Sequence, residues 1–170
     1  MKDLALWMYG DVRKGNGFWY SHEIGEIAGL TEEQLFWVPD PNSLCILWHV
    51  GHIAHREKTH IGRFLQEIEK PIIPQGYEVF GTKWCSAGEL RKSIDSIDNV
   101  FAWAHRVRED SRNYITSLKD EDFNTVTPTS EGGLSIGHWI FITSAHTALH
   151  IGRIQLFRAL IEGRHEEPCW

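Results

Sequence analysis

Three clusters of turn-forming residues divide the 170-residue chain into four segments, and this division most constrains the fold. The clusters lie at residues 39–42 (PDPN), 71–76 (PIIPQG) and 127–133 (TPTSEGG). The segments between them carry apolar residues at helical spacing, and none shows the alternation typical of a strand. The sequence therefore predicts an all-α fold, a four-helix bundle formed by a single domain over residues 1–170.

Each segment contains one predicted helix. The predicted ranges are about 18–35, 42 or 43 to 69, 86–118 and 135–163. The first helix has a break near Gly29, and residues 3–9 add a short helix before it. Ser86 and Glu89 form a capping box, and Gly163 is placed where a helix commonly ends. The long connection between the second and third helices would allow these two helices to run parallel.

Charge and cysteine content exclude several classes of protein. The formal net charge is −6, and no run of Lys or Arg is longer than two, which argues against binding to nucleic acid. The three cysteines include no CxxC pair, so they form neither a disulfide framework nor a zinc ribbon, and they are typical of a cytoplasmic protein. No stretch approaches the length of about 18 apolar residues that a membrane span needs.

Two of the ten histidines share one face of the fourth predicted helix. His146 and His150 are four residues apart, the commonest spacing with which a helix offers two ligands to one metal ion. The stripe on which they lie is mainly apolar and is predicted to face inward; its other members are Trp139, Ile142, Thr143, Leu149, Arg153, Phe157 and Leu160. Buried imidazoles need partners, which a metal ion or buried hydrogen-bonding groups would supply.

A third ligand could come from the second predicted helix. His52 shares a face with Trp48 and Arg56, away from the most apolar stripe, and would fit the wall of a polar cleft. His49 and His60 lie between the two faces of the same helix. Helical phase alone leaves these three histidines as alternatives.

Two sequence segments resemble the DinB-like superfamily of metal-binding four-helix bundles. They are LWHVGHIAHRE at residues 47–57 and SAHTALHIGRIQLFRAL at residues 144–160. The superfamily includes thiol-dependent S-transferases and the N-terminal domain of ergothioneine-forming sulfoxide synthases. Its pattern combines a Trp and a His on the second helix, a Glu five residues later, and two His at i, i+4 on the last helix.

This resemblance implies that His52, His146 and His150 bind a divalent ion, which would be zinc, nickel or iron. Three imidazoles with an open fourth position are the arrangement of a working metal site. The resemblance also places Trp48, His49, Glu57 and Arg153 in the pocket or beside the ligands. Arg153 stands where the family often has Gln and would bind an anionic group or pair with an acid. His49 leaves a second possible alignment for the ligand on this helix.

The implied activity is that of a metal-dependent thiol S-transferase or hydrolase, whose substrate would be a small molecule. The thiol would be of low molecular weight. An alternative is a non-catalytic metal-binding bundle that acts as a dimer in a stress response. A third interpretation is a helical interaction module without metal. The family's common state predicts a homodimer.

Overall fold

The computed structural model describes residues 1–10 and 25–164, and these residues form helices and connecting loops without a strand. The all-α prediction is confirmed. The helices are α1 (Lys2–Tyr9), α2 (Glu32–Leu35), α3 (Ile46–Thr59), α4 (Ala87–Ser93), α5 (Ile97–Ser117) and α6 (Ile136–Glu162). Three of them are long, namely α3, α5 and α6. The predicted count of four helices is not confirmed, because shorter helices precede and interrupt the long ones.

The first predicted helix is only partly visible, since residues 18–24 lie outside the described residues. Its predicted break is present at Gly29, which has a φ of +77°. Helix α2 then begins at a capping box in which Thr31 and Gln34 bond to each other's backbone N–H. The short helix predicted at residues 3–9 is α1, which starts one residue earlier.

The central helix α3 begins and ends inside its predicted range. Asp40 bonds to the backbone N–H of Asn42 and to the hydroxyl of Ser43, which holds these residues in a turn, so the helix starts after Cys45. At its far end α3 continues into a π-helical turn, His60–Leu65. The chain then leaves the helix at Glu67, which has a φ of +57°.

The third predicted helix is two helices. Ser86 and Glu89 form the predicted capping box at the start of α4. Ile94 is extended, and Ser96 then caps α5 by accepting a hydrogen bond from the N–H of Asn99. In contrast, α6 agrees with prediction at both ends: Ser135 caps its start, and Gly163 ends it with a φ of +64°.

Helices α5 and α6 pack on α3 in opposite directions. Glu57 binds Arg108 and the carbonyl of Leu65 binds Tyr114, so residue numbers rise together along α3 and α5, which are parallel. His49 contacts His150, whereas His60 farther along α3 contacts Thr143, so α6 runs antiparallel to α3. The connection at residues 66–85, which includes a 3-10 helix at Tyr77–Gly81, leads into α4, and together they return the chain to the start of α5.

Polar side chains form a layer between two apolar clusters of the core. One cluster surrounds the first half of α3 and includes Val100, Trp103 and Ile154; the other surrounds its end and includes Ile115 and Ile140. The buried polar side chains between them are His52, Glu57, Arg108, Ser111, Thr143, Ser144, Thr147 and His150. Since burying such groups costs free energy unless they are partnered, this layer is where a functional site is expected.

Two further observations bear on the sequence predictions. Cys45 and Cys85 are buried free thiols. Among the described helices, none combines the length and apolar character needed to cross a membrane.

Candidate metal centre

Three histidines meet in the polar layer where α3 packs against α6. His52 comes from α3, and His146 and His150 lie one turn apart on α6. One ligand atom from each residue lies within 4.8 Å of the other two. The ring centroids are 4.5 Å apart for His146 and His150, and 4.7 Å and 5.1 Å from His52 to these two rings respectively. The three side chains are therefore positioned to bind one metal ion.

The backbone before α4 fixes the ring of His52. Its Nδ1–H donates to the carbonyl oxygen of Phe80 over 2.5 Å, which leaves the lone pair of Nε2 for a ligand. The indole of Trp48 stacks on the imidazole with centroids 4.3 Å apart, and its own Nε1–H donates to the carbonyl of Val79. The 3-10 helix Tyr77–Gly81 thus orients both rings, in the way that outer-shell partners orient metal-ligating histidines.

His49 is the corresponding partner of His150. Their Nδ1 atoms are 2.8 Å apart, and both side chains are buried. If His150 binds an ion through Nε2, its Nδ1 carries the proton, and this N–H donates a hydrogen bond to Nδ1 of His49. Helical phase left both His49 and His52 as candidates for the third histidine of the cluster. In the structure His52 lies within the cluster and His49 lies beside it.

His146 has an unpartnered nitrogen in this arrangement. Its Nδ1 is buried and has no hydrogen-bond partner in the part of the chain that the structure describes. His60, the other alternative from α3, bonds through Nδ1 to the hydroxyl of Thr143, and its ring lies 6.3 Å from that of His146. A buried nitrogen without a hydrogen-bond partner is unusual in a protein core. Its position next to two oriented imidazoles is consistent with a site for a metal ion.

The electrostatics keep all three histidines neutral at pH 7. Burial is the main cause that lowers the pKa of His150 to about 2 and that of His52 to about 4, and neighbouring histidines and arginines contribute less. The hydrogen bond to Phe80 opposes this effect by raising the pKa of His52. The pKa of His146 is also lowered, first by burial and then by the charges of Arg56 and Arg153. Because a metal ion binds the neutral imidazole, the cluster does not have to lose protons before it binds a metal ion.

Glu57 is committed to a different partner. Its Oε2 lies 2.7 Å from Nη2 of Arg108 and accepts a hydrogen bond from Nε over 2.9 Å, and both side chains are buried. This bidentate pair joins α3 to α5 within the polar layer. Glu57 is not among the described residues whose ligand atoms converge with those of the three histidines.

Arg153 and part of the predicted inward stripe face solvent. Arg153 is exposed, and so are Ile142, Leu149 and Leu160, which are 37%, 68% and 49% exposed. The stripe prediction is wrong for these four residues. Helix α6 is apolar on more than one side, so periodicity did not distinguish the face that packs against α3. Arg153 still lies close enough for its charge to lower the pKa of His150.

Two contributors to the site were missed by sequence reasoning. The Phe80 carbonyl that fixes His52 lies 28 residues away, in the 3-10 helix Tyr77–Gly81, to which no sequence motif points. The available signal was Gly51 in the middle of a helix: a Cβ there would lie 2.3 Å from the Phe80 ring, so this glycine permits the close approach. Helical phase puts Arg56 on the face of His52 without indicating a role, and the charge of Arg56 lowers the pKa of His52 and of His146.

Comparison with known proteins agrees with this architecture. No curated protein and no solved structure matches the chain significantly. The sequence profile of the DinB superfamily, in contrast, matches residues 25–154. This range contains α2 to α5 and all three clustered histidines. The chain belongs to the DinB superfamily.

Proposed function

We propose that this protein is a divalent-metal-dependent enzyme that acts on a small molecule as a thiol S-transferase or a hydrolase. The observation that carries the proposal is the convergence of His52, His146 and His150 without a fourth protein ligand from the described residues. Structural zinc sites usually fill all four positions with protein ligands, whereas catalytic sites keep one open for water or substrate. Zinc, nickel and iron all suit imidazole donors.

The surrounding residues support this role by holding the ligands in place. The carbonyl of Phe80 fixes the tautomer of His52, and Nδ1 of His49 would accept a hydrogen bond from the Nδ1–H of a His150 that binds the ion through Nε2. A bound divalent ion would supply Lewis acidity, lowering the pKa of a coordinated water or thiol so that it reacts near neutral pH. Of the two candidate nucleophiles, the resemblance to thiol-dependent S-transferases favours the thiol.

Metal content per chain tests the proposal. We expect about one ion per chain in the wild type, measured by elemental mass spectrometry on tag-free protein after addition of zinc, nickel or iron. His52→Ala and His146→Ala should lose the ion. His49→Ala should retain the site with an affinity lowered about 10- to 100-fold, since it removes only an outer partner. The exposed His105 supplies the control, and His105→Ala should bind like the wild type.

Two outcomes would contradict the proposal. Wild type without stoichiometric metal would exclude a metal enzyme and leave the histidines as hydrogen-bonded core residues. Stoichiometric metal that no added thiol or water can reach would favour the non-catalytic metal-binding bundle. Loaded protein that accelerates conjugation of a thiol to an electrophile, or hydrolysis of an ester, would separate the transferase from the hydrolase.

We also infer that a second copy of the chain covers an apolar face of α6. Phe141, Leu149 and Leu156 are 66%, 68% and 43% exposed on this helix. Among the described residues, the groove between α1 and α6 is lined by uncharged side chains only, namely Met8, Phe141, Ser144, Ala145, Ala148, Leu149 and Gly152. A face that follows one helix can pair with itself about a two-fold axis, as most homodimers do.

Sedimentation velocity tests the dimer. We expect the wild type to sediment as a dimer at micromolar concentration and Leu149→Glu to sediment as a monomer with unchanged helicity. Val126, which is 50% exposed and is not among the residues that line this groove, provides the control, and Val126→Glu should remain dimeric. A monomeric wild type would contradict the inference.

A further inference from the structure

Two arginines flank the three-histidine cluster along the helix axes. Arg56 follows His52 by one turn on α3, and Arg153 follows His150 by almost one turn on α6. Because α3 and α6 are antiparallel, these displacements point in opposite directions. At a rise of about 1.5 Å per residue, the two backbones are separated along the axis by about 10–13 Å, with the cluster between them. Arg56 is half-buried and Arg153 faces solvent, so the long, flexible side chain of Arg153 would turn toward the cluster to bind a ligand there.

Neither guanidinium has an acidic partner among residues 1–10 and 25–164. Within the described part of the chain, no carboxylate lies at ion-pair distance from Arg56 or Arg153, although several other arginines have such partners: Arg108 with Glu57, Arg91 with Glu32, and Arg158 with Glu162. Arg56 is half-buried and Arg153 is exposed, so both remain accessible to a ligand. An exposed arginine often needs no partner, but two unpaired ones at opposite ends of one site form a distinct feature.

The charge balance around the cluster favours an anion. The nearest acid on α3, Glu57, is bound by Arg108. Because imidazole binds a metal as a neutral ligand, a divalent ion held by three histidines would keep its full charge, and the arginines would add two more positive charges. Such a concentration of positive charge attracts an anionic ligand and strengthens its binding.

We propose that the substrate carries an anionic group, a carboxylate or a phosphate, which Arg56 and Arg153 bind while its metal-ligating atom takes the open position. This inference rests on the proposed metal centre and specifies its substrate class. The two arginines hold and orient the ligand and are not required to hold the ion. Metal content and ligand preference therefore report on different residues.

A pair of matched thiols tests the inference. Cobalt-loaded protein is titrated with 3-mercaptopropionate and with 2-mercaptoethanol, which differ in a carboxylate against a hydroxyl, and binding is followed by the cobalt absorption spectrum. We expect 3-mercaptopropionate to bind at least about tenfold more tightly than 2-mercaptoethanol, because a single hydrogen bond to a charged group contributes about that much. Arg56→Gln and Arg153→Gln should each reduce this preference without changing the cobalt stoichiometry.

The control is Arg63→Gln, because Arg63 is exposed on the same helical segment and lies over the ring of Phe64 rather than at the cluster. It should retain the wild-type preference. Cobalt-loaded protein that binds both thiols equally, binds neither, or keeps its preference in both arginine variants would overturn the inference and leave the metal centre standing. Wild type that binds no cobalt would refute the metal centre, and the inference with it.

Discussion

Replacing Gly51 by alanine should damage the metal centre through a contact that involves no ligand. Gly51 lies in the middle of α3, next to His52. An added Cβ would lie 2.3 Å from Cε1 and 2.4 Å from Cδ1 of Phe80. The Phe80 ring cannot easily retreat, because it is fully buried and packs against Tyr77 and Trp103, with centroids 5.6 Å and 6.1 Å away. The backbone of Phe80 must therefore move, and its carbonyl holds Nδ1 of His52.

The expected magnitude combines two opposing terms. Alanine is favoured over glycine inside a helix by about 1 kcal/mol. Overpacking of a dense core costs about 1–3 kcal/mol, and this contact is close enough to place the cost near the upper end. We expect Gly51→Ala to lower the free energy of unfolding by about 1–2 kcal/mol, which corresponds to a Tm decrease of about 2–8 °C for a chain of this size.

The effect on metal binding should be larger than the effect on stability suggests. Loss of a hydrogen bond that orients a ligating histidine typically costs about 10- to 100-fold in metal affinity. We would measure Tm of the metal-free protein by calorimetry and the affinity by competition with a chelator. Gly88→Ala is the matched control, because a Cβ at this helical position meets nothing within 4 Å. If Gly51→Ala matched that control in both measurements, the proposed coupling between Phe80 and His52 would be refuted.

Three further predictions concern the polar layer, the buried histidines and the N-terminal cap of α6. Glu57→Ala leaves the charge of Arg108 buried without its partner and should lower the free energy of unfolding, measured by urea denaturation, by about 3–5 kcal/mol. The metal stoichiometry should stay the same, and loss of metal from a folded variant would contradict this prediction. Acid should destabilise the metal-free protein as pH falls from 6.5 toward 4: the pKa of His49 is lowered to about 3 and that of His60 to about 4, so the unfolded chain takes up protons that the folded chain does not. Constant stability from pH 7.5 to 5 would refute that reasoning. Ser135→Ala removes the cap of α6 and should cost about 1 kcal/mol by thermal unfolding, with an unchanged Tm as the contrary result.

Helix α6 has an exposed apolar face in addition to the face that carries His146 and His150, and the distribution of its apolar residues accounts for both. A helix of 27 residues that is apolar on several sides can bury one side against α3 and still present Phe141 and Leu149 to solvent. Periodicity measures how apolar residues are distributed around a helix, but it does not identify their partner. The same reasoning applies to α3, where Ile46 through Ala54 are buried on every side because neighbours surround the helix.

The sequence by itself determined the local features of this protein. Turn-forming clusters marked the long connections, and the capping residues Ser86, Ser135 and Gly163 marked helix ends, because these signals act between residues close in the chain. Spacing of four residues put His146 and His150 on one face for the same reason. The family pattern identified His52 as the third member of the cluster.

The tertiary structure decided everything that depends on which surfaces meet. The parallel course of α3 and α5, the commitment of Glu57 to Arg108 and the hydrogen bond from His52 to Phe80 all join residues far apart in sequence. No periodicity contains these pairings, since they depend on the packing of whole helices and of the loop before α4. The placement of the three imidazoles between Arg56 and Arg153 is likewise a product of antiparallel packing, which puts these two arginines on opposite sides of the cluster.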